Sequence, residues 1–185
     1  MKRWKEGDII RIIIRLLLSG ALAALLVFSV HAGPPDRAPG GVLNATYLIE
    51  KQAVDLVDGR AKVQPAPGSA IKTTTIVFGK PVYGDLNHDG REDAALFLRQ
   101  DPGGSGTFYY VAAAIAADDT YQGTNAVFLG DRVSPRKIHI RNGGIVAKFD
   151  DRRPDQSMAA APSIGKTMYL KLDKGYLTAK KPPMR

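Results

Sequence analysis

Cysteine is absent from all 185 residues. That excludes disulfides, thiolate zinc or iron–sulfur sites, and lipid attachment through an N-terminal cysteine. Histidine is scarce, at three residues, and only His88 and His139 lie beyond residue 32. A histidine-rich metal or catalytic centre therefore has little to work with. Beyond residue 32, the adjacent basic pairs are Arg136-Lys137, Arg152-Arg153 and Lys180-Lys181, and the other basic residues are scattered. With no basic stripe, nucleic acid is not an expected partner. No repeat of the solenoid or propeller kind is present. Long periodic segments are lacking too, whereas glycine (19) and proline (12) are frequent. Short strands joined by many turns are expected, and the 44% apolar share suffices for a core.

The first 32 residues read as an export signal. Lys2, Arg3, Lys5, Arg11 and Arg15 form a positive leading region, and residues 16–30 are apolar apart from Ser19, Gly20 and Ser29. Val30-His31-Ala32 offers a cleavage site after Ala32. The alternative is an uncleaved anchor, in which residues 9–30 span a bilayer and Arg11 and Arg15 bear the cost of burial. A periplasmic or secreted location follows, with membrane attachment only if the leader stays on. Removing residues 1–32 takes away five Lys/Arg and two Asp/Glu, so the net charge falls from +8 to +5. That charge favours anionic partners such as an anionic glycan or a lipid head group.

Residues 33–41 are rich in proline and glycine and read as a linker. One mainly antiparallel, sandwich-like β domain is expected over residues 42–180, with residues 181–185 as a tail. Strand signals fall at 46–50, 53–57, 72–78, 94–99, 107–116 and 126–129. Residues 107–116 are apolar on both parities, which places that strand centrally, although its alanine-rich end would also suit a helix. The cleanest alternation is Ile138 and Ile140, the turn Asn142-Gly143, then Ile145, Ala147 and Phe149. Met168, Leu170 and Leu172 alternate next, and Asp173-Lys174-Gly175 turns the chain into a last strand.

The only local chemistry above background is Asp85-Leu86-Asn87-His88-Asp89-Gly90-Arg91-Glu92-Asp93. Asp85, Asn87 and Asp89 occupy positions one, three and five, so alternate side chains can converge on one ion. Gly90 permits the bend, the Arg91 carbonyl takes position seven, and Asp93 takes position nine. Four acids crowd together here, and a calcium ion would relieve their repulsion. Leu86 and His88 are not ligands in this reading. Position twelve is Leu96 rather than glutamate, so this is not an EF-hand. A plain Asx-turn connection without metal is the bland alternative.

Other segments read more blandly. Residues 100–107 resemble a nucleophile turn, but Thr107 stands where a glycine is required. Phe108, Tyr109, Tyr110 and Tyr121 are expected in the core rather than in a groove. Residues 150–155 form a mixed-charge loop suited to local ion pairs.

The nine-residue loop resembles the Asp-x-Asn-x-Asp-Gly-x-x-Asp calcium loops of integrin-type (FG-GAP-like) propeller blades. The likeness extends to the ion and the loop geometry, not to the propeller. More broadly, Leu43-Asn44-Ala45-Thr46-Tyr47, residues 84–93 and 100–110, Gly123-Thr124-Asn125-Ala126-Val127 and Gly130-Asp131-Arg132 carry a further resemblance. They are similar to a group of uncharacterised exported proteins and lipoproteins of Gram-negative bacteria. The resemblance implies an envelope location and no known activity. The expected function is a non-enzymatic envelope binding or structural module, partnered by an anionic glycan, a lipid head group or a protein. Two alternatives stand beside it. One is a hydrolase of envelope polymers using Asp85, Glu92 or Asp93 as acid and base. The other is a small exported inhibitor presenting residues 101–106.

Overall fold

The structure is a computed structural model that describes residues 40–64, 68 and 71–181. Residues 1–39, which include the expected leader and most of the expected linker, and residues 182–185 lie outside the described residues. So do 65–67 and 69–70.

The described chain is mainly β, with antiparallel pairing throughout its named strands. A single 3-10 turn, Val42–Asn44, precedes β1 Thr46–Ile49, β2 Gln52–Asp55, β3 Arg60–Val63, β4 Thr73–Gly84 and β5 Asp93–Asp101. Then follow β6 Phe108–Ala117, β7 Thr120–Gly123, β8 Val127–Asp131, β9 Ser134–Arg141, β10 Gly144–Asp151, β11 Ile164–Asp173 and β12 Tyr176–Lys180. They form three sheets: the β1–β2 hairpin, a six-stranded sheet β3-β4-β5-β6-β7 with β8 also on β6, and a four-stranded sheet β12-β11-β10-β9.

Turn chemistry sets much of this order. Asp58-Gly59, Asn142-Gly143 and Lys174-Gly175 all have positive φ at both residues, the condition for tight two-residue hairpin turns. Asn142-Gly143 joins β9 to β10 as its sequence requires, with Arg141 opposite Gly144.

The six-stranded sheet is buried on both faces at its centre. Ala94, Leu96 and Leu98 of β5, with Tyr110, Ala112 and Ala114 of β6, face Tyr47, Ile49, Val54 and Leu56 of the hairpin side. Ala95, Phe97, Val111 and Ala113 face Ile138, Ile145, Ala147, Phe149 and Leu170 of the four-stranded sheet. The alanine-rich end of residues 107–116 is therefore strand. Alanines pair with each other across β5 and β6, Ala94 with Ala114 and Ala95 with Ala113. Small side chains let neighbouring layers close on these strands, and their absence of bulk is satisfied by tight packing rather than by helical geometry.

β3 and β7 were not signalled by alternation. Arg60–Val63 and Thr120–Gly123 are short and polar, and each lies at a sheet margin where one face is solvated. β4 runs past residue 78 through an irregularity between Phe78 and Val82, and so delivers the chain to residue 85. β7 and β8 divide one edge of β6 between them, with Thr124 bridging the gap. Its N–H donates to the Ala113 carbonyl and its Oγ1 accepts from the Ala113 N–H.

Candidate functional site

Residues 85–92 connect β4 to β5, and Asp93 opens β5. The loop closes on itself through its own oxygens. Asp85 Oδ1 accepts from the His88 N–H at 2.6 Å, and Oδ2 accepts from the Gly90 N–H at 3.1 Å. Asn87 Oδ1 accepts from the Asp89 N–H at 3.0 Å, and Asp89 Oδ1 accepts from the Arg91 N–H at 2.8 Å. These are Asx bonds between residues two to five apart, and they turn all three side chains in towards their own backbone.

The charge of Asp89 is already partnered. Its Oδ2 accepts from Arg91 Nε at 3.1 Å, Arg91 Nη2 at 2.8 Å and Asn87 Nδ2 at 2.9 Å. The Arg91 side chain, above all, holds the Asp89 carboxyl down at about 2. Arg91 also approaches Asp118 at 3.8 Å.

Asp93 occupies a different environment. It is 0% exposed, and both its oxygens accept main-chain N–H groups, Oδ2 from Leu86 and Oδ1 from Ala116, each at 2.9 Å. One carboxylate thus ties the start of the loop to the end of β6. Glu92 beside it is exposed, and its carbonyl accepts from the Tyr121 hydroxyl at 3.0 Å.

His88 has a role that sequence reasoning missed. Its φ is +64°, and its ring lies over the β9–β10 turn so closely that a Cβ on Gly143 would come within 2.4 Å of Nε2. The loop of the six-stranded sheet is thereby laid against a turn of the four-stranded one. Asn-Gly in that turn was legible as a hairpin, but nothing in the sequence linked it to His88.

The donor chemistry of the loop is that of a hard cation site: carboxylate, amide and carbonyl oxygens, with no sulfur and no imidazole. Asp85, Asn87, Asp89, the Arg91 carbonyl and Asp93 fit calcium in kind. Among the described residues, no three His, Asp or Glu side chains are gathered into a ready metal-binding group. Asp85, Asn87 and Asp89 share the loop, while Asp93 stands beneath it.

The other segments follow their bland readings. In residues 100–107, Asp101 Oδ1 accepts from the Gly103 N–H in a tight turn, and Gly103 packs against Ile71. Tyr110 is buried, and Tyr109 packs on the second core with an edge-on contact to Phe78. Residues 150–155 carry local pairs: Asp150 with Arg136, Asp151 with Lys166 at 2.6 Å, and Arg153 with Asp155 at 3.4 Å. Among the described residues, no helix is long and apolar enough to cross a membrane.

No protein family, curated protein or solved structure matches this chain.

Proposed function

We propose that this protein is an exported, non-enzymatic binding or structural module of the bacterial envelope, and that its β4–β5 loop takes a calcium ion. The observation that carries the reading is how the acids are used. Asp85 and Asp89 are drawn in to the loop by its own N–H groups, and Asp93 is sealed beneath it. Acid–base hydrolysis needs two carboxyls facing an open cleft, with one free to give up a proton. A buried carboxylate bonded on both oxygens is poorly suited to that. The calcium proposal rests instead on the all-oxygen donor set at positions one, three, five, seven and nine. A bound ion would cross-link the ends of β4 and β5 and stabilise the fold by mass action, by about 2.7 kcal/mol at a hundredfold excess over Kd.

The test is a pair of thermal melts, one with calcium and one with chelator. The calcium melt is expected at the higher temperature, with the difference abolished by Asp85→Ala. Superimposable melts would remove the ion. The export reading is tested separately by N-terminal sequencing of protein recovered from the periplasm or medium, with Gly33 expected as the first residue.

A further inference from the structure

The basic residues that look scattered in the sequence are collected by the fold. β9 to β12 turn Ile138, Ile145, Ala147, Phe149, Leu170 and Leu177 to the core. The opposite parity carries Lys137, His139 and Arg141 on β9, Lys148 on β10, Lys171 on β11 and Lys180 on β12. Register places them in rows. Arg141, Gly144 and Lys171 lie abreast, as do His139, Val146, Tyr169 and Lys180. Lys137 stands directly opposite Lys148.

Every lysine and arginine of this set is exposed, and none of them forms an ion pair among the described residues. Two acids share the face: Asp150 is held by Arg136, and Asp173, two residues beyond Lys171, is the single carboxylate beside the Arg141–Lys171 row, set against Arg141, Lys171 and Lys180. Like charges directly opposed across a strand pair cost stability. A face that repels itself and carries an unspent positive potential is complementary to a polyanion.

The surface is also concave. Arg141, Lys171, Lys180 and Lys181 line a cleft of about 310 Å³ together with Val146 and Tyr169, whose side chains share their face of the sheet. That volume is at the lower end of small-ligand sites, roughly 300 Å³. An aromatic and aliphatic lining suits the apolar face of a sugar ring, and the cationic side chains suit its carboxylate. A flat lipid surface would touch the charges and leave the cleft empty.

We infer that the outer face of the β9–β12 sheet binds a linear acidic polysaccharide, with a uronate residue seated over Tyr169 between Arg141, Lys171 and Lys180. The choice of a glycan over a nucleic acid rests on the envelope reading; the site itself does not depend on the calcium loop. Adjacent strands are ~4.8 Å apart, so Arg141 and Lys171 stand roughly 10 Å apart across β10, a spacing that engages successive charges on an extended chain. Guanidinium at Arg141 can take a carboxylate bidentately, whereas the lysines act as point charges.

The experiment is fluorescence anisotropy with labelled polygalacturonate oligomers on the purified chain, in chelator throughout so that calcium plays no part. Binding is expected, weakening as salt rises. K171Q/K180Q should weaken it at least tenfold, and Tyr169→Ala severalfold. K62Q/K72Q removes the same charge elsewhere and should change it less than twofold. Circular dichroism of each variant establishes that it is folded, and Lys171→Gln alone serves if the double variant is not. Phosphatidylglycerol vesicles, single-stranded DNA and neutral dextran are the competing probes, and each should compete poorly. No binding to polygalacturonate, equal loss in both double variants, or tighter binding to vesicles or DNA would each overturn the assignment.

Discussion

Asn125 and Leu177 are joined twice. The Leu177 N–H donates to Asn125 Oδ1 at 2.7 Å, and Asn125 Nδ2 donates to the Leu177 carbonyl at 3.0 Å. A side-chain amide here replaces a strand partner for β12. The same segment serves β1 as well, since Leu48 and Ala126 exchange bonds through the Thr124 and Leu48 carbonyls. Residues 124–126 therefore touch all three sheets. Asn125→Ala removes both amide bonds and is expected to cost about 1–3 kcal/mol. Asn125→Asp keeps the acceptor but sets an oxygen against the Leu177 carbonyl, and should cost more at neutral pH. Urea unfolding of both variants checks the order; Asn125→Asp at least as stable as wild type would contradict it.

Asp93→Asn tests the buried clamp. Asparagine retains one acceptor and turns an NH₂ group towards an N–H that previously found an oxygen. Either Leu86 or Ala116 then loses its partner in a fully enclosed site. The expected loss is about 1–3 kcal/mol. Hydrogen exchange gives the sharper readout, because protection should fall at whichever of Leu86 and Ala116 loses its acceptor. An unchanged exchange pattern would dissociate Asp93 from the loop.

The strands legible in the sequence were those with strong patterning. Ile138 to Phe149 alternates around Asn-Gly, and residues 107–116 are apolar on both parities because two cores meet there. β3 and β7 escaped notice because Arg60–Val63 and Thr120–Gly123 bury little and follow their neighbours by backbone pairing. The loop oxygens were legible one by one, since spacing along the chain governs Asx bonding. Asp93 as a clamp was not, because its second partner, Ala116, is 23 residues away. The cationic face was hidden for a like reason. Lys137, Lys148, Lys171 and Lys180 become neighbours only through the register of four strands.

The β1–β2 turn is strained and improvable. Glu50 and Lys51 both have positive φ, 48° and 69°, in a two-residue turn that favours asparagine and glycine. Glu50 has a compensating role, because the Tyr110 hydroxyl donates to its Oε1 at 3.1 Å. Lys51 lacks such a bond among the described residues. Lys51→Gly should therefore raise stability by about 0.5–1 kcal/mol, part of the strain relief being offset by the freedom glycine adds to the unfolded chain. A lowered melting temperature would refute this.

Asp151 supplies a pH test with a definite sign. The Lys166 ammonium, by its hydrogen bond, holds this carboxyl below its ordinary value of 3.8. A depressed folded pKa stabilises above the unfolded value, and that contribution fades as pH falls through the folded one. Lys166→Met should thus melt earlier than wild type at about pH 6, and the gap should close by about pH 2. Lys166 is half exposed and Asp151 partly so, so the gap is small and shrinks in high salt. A gap that persists at low pH would assign the effect to packing of the Lys166 stem instead.

Arg91 and the proposed calcium ion compete for one atom, Asp89 Oδ2, which the guanidinium now holds through two N–H groups. Calcium binding must release that pair, and the release opposes affinity. Arg91→Ala keeps the position-seven carbonyl, which belongs to the backbone, while freeing Asp89. It should bind calcium roughly two- to fivefold more tightly than wild type, the range expected from breaking an exposed ion pair. Isothermal titration against calcium reads this directly, and Asp89→Ala supplies the opposite sign. Weaker binding in Arg91→Ala would mean that the guanidinium orders the ligands rather than competing for them. Absence of heat in wild type and Arg91→Ala alike would leave the loop as a hydrogen-bonded turn whose charge is balanced by arginine alone.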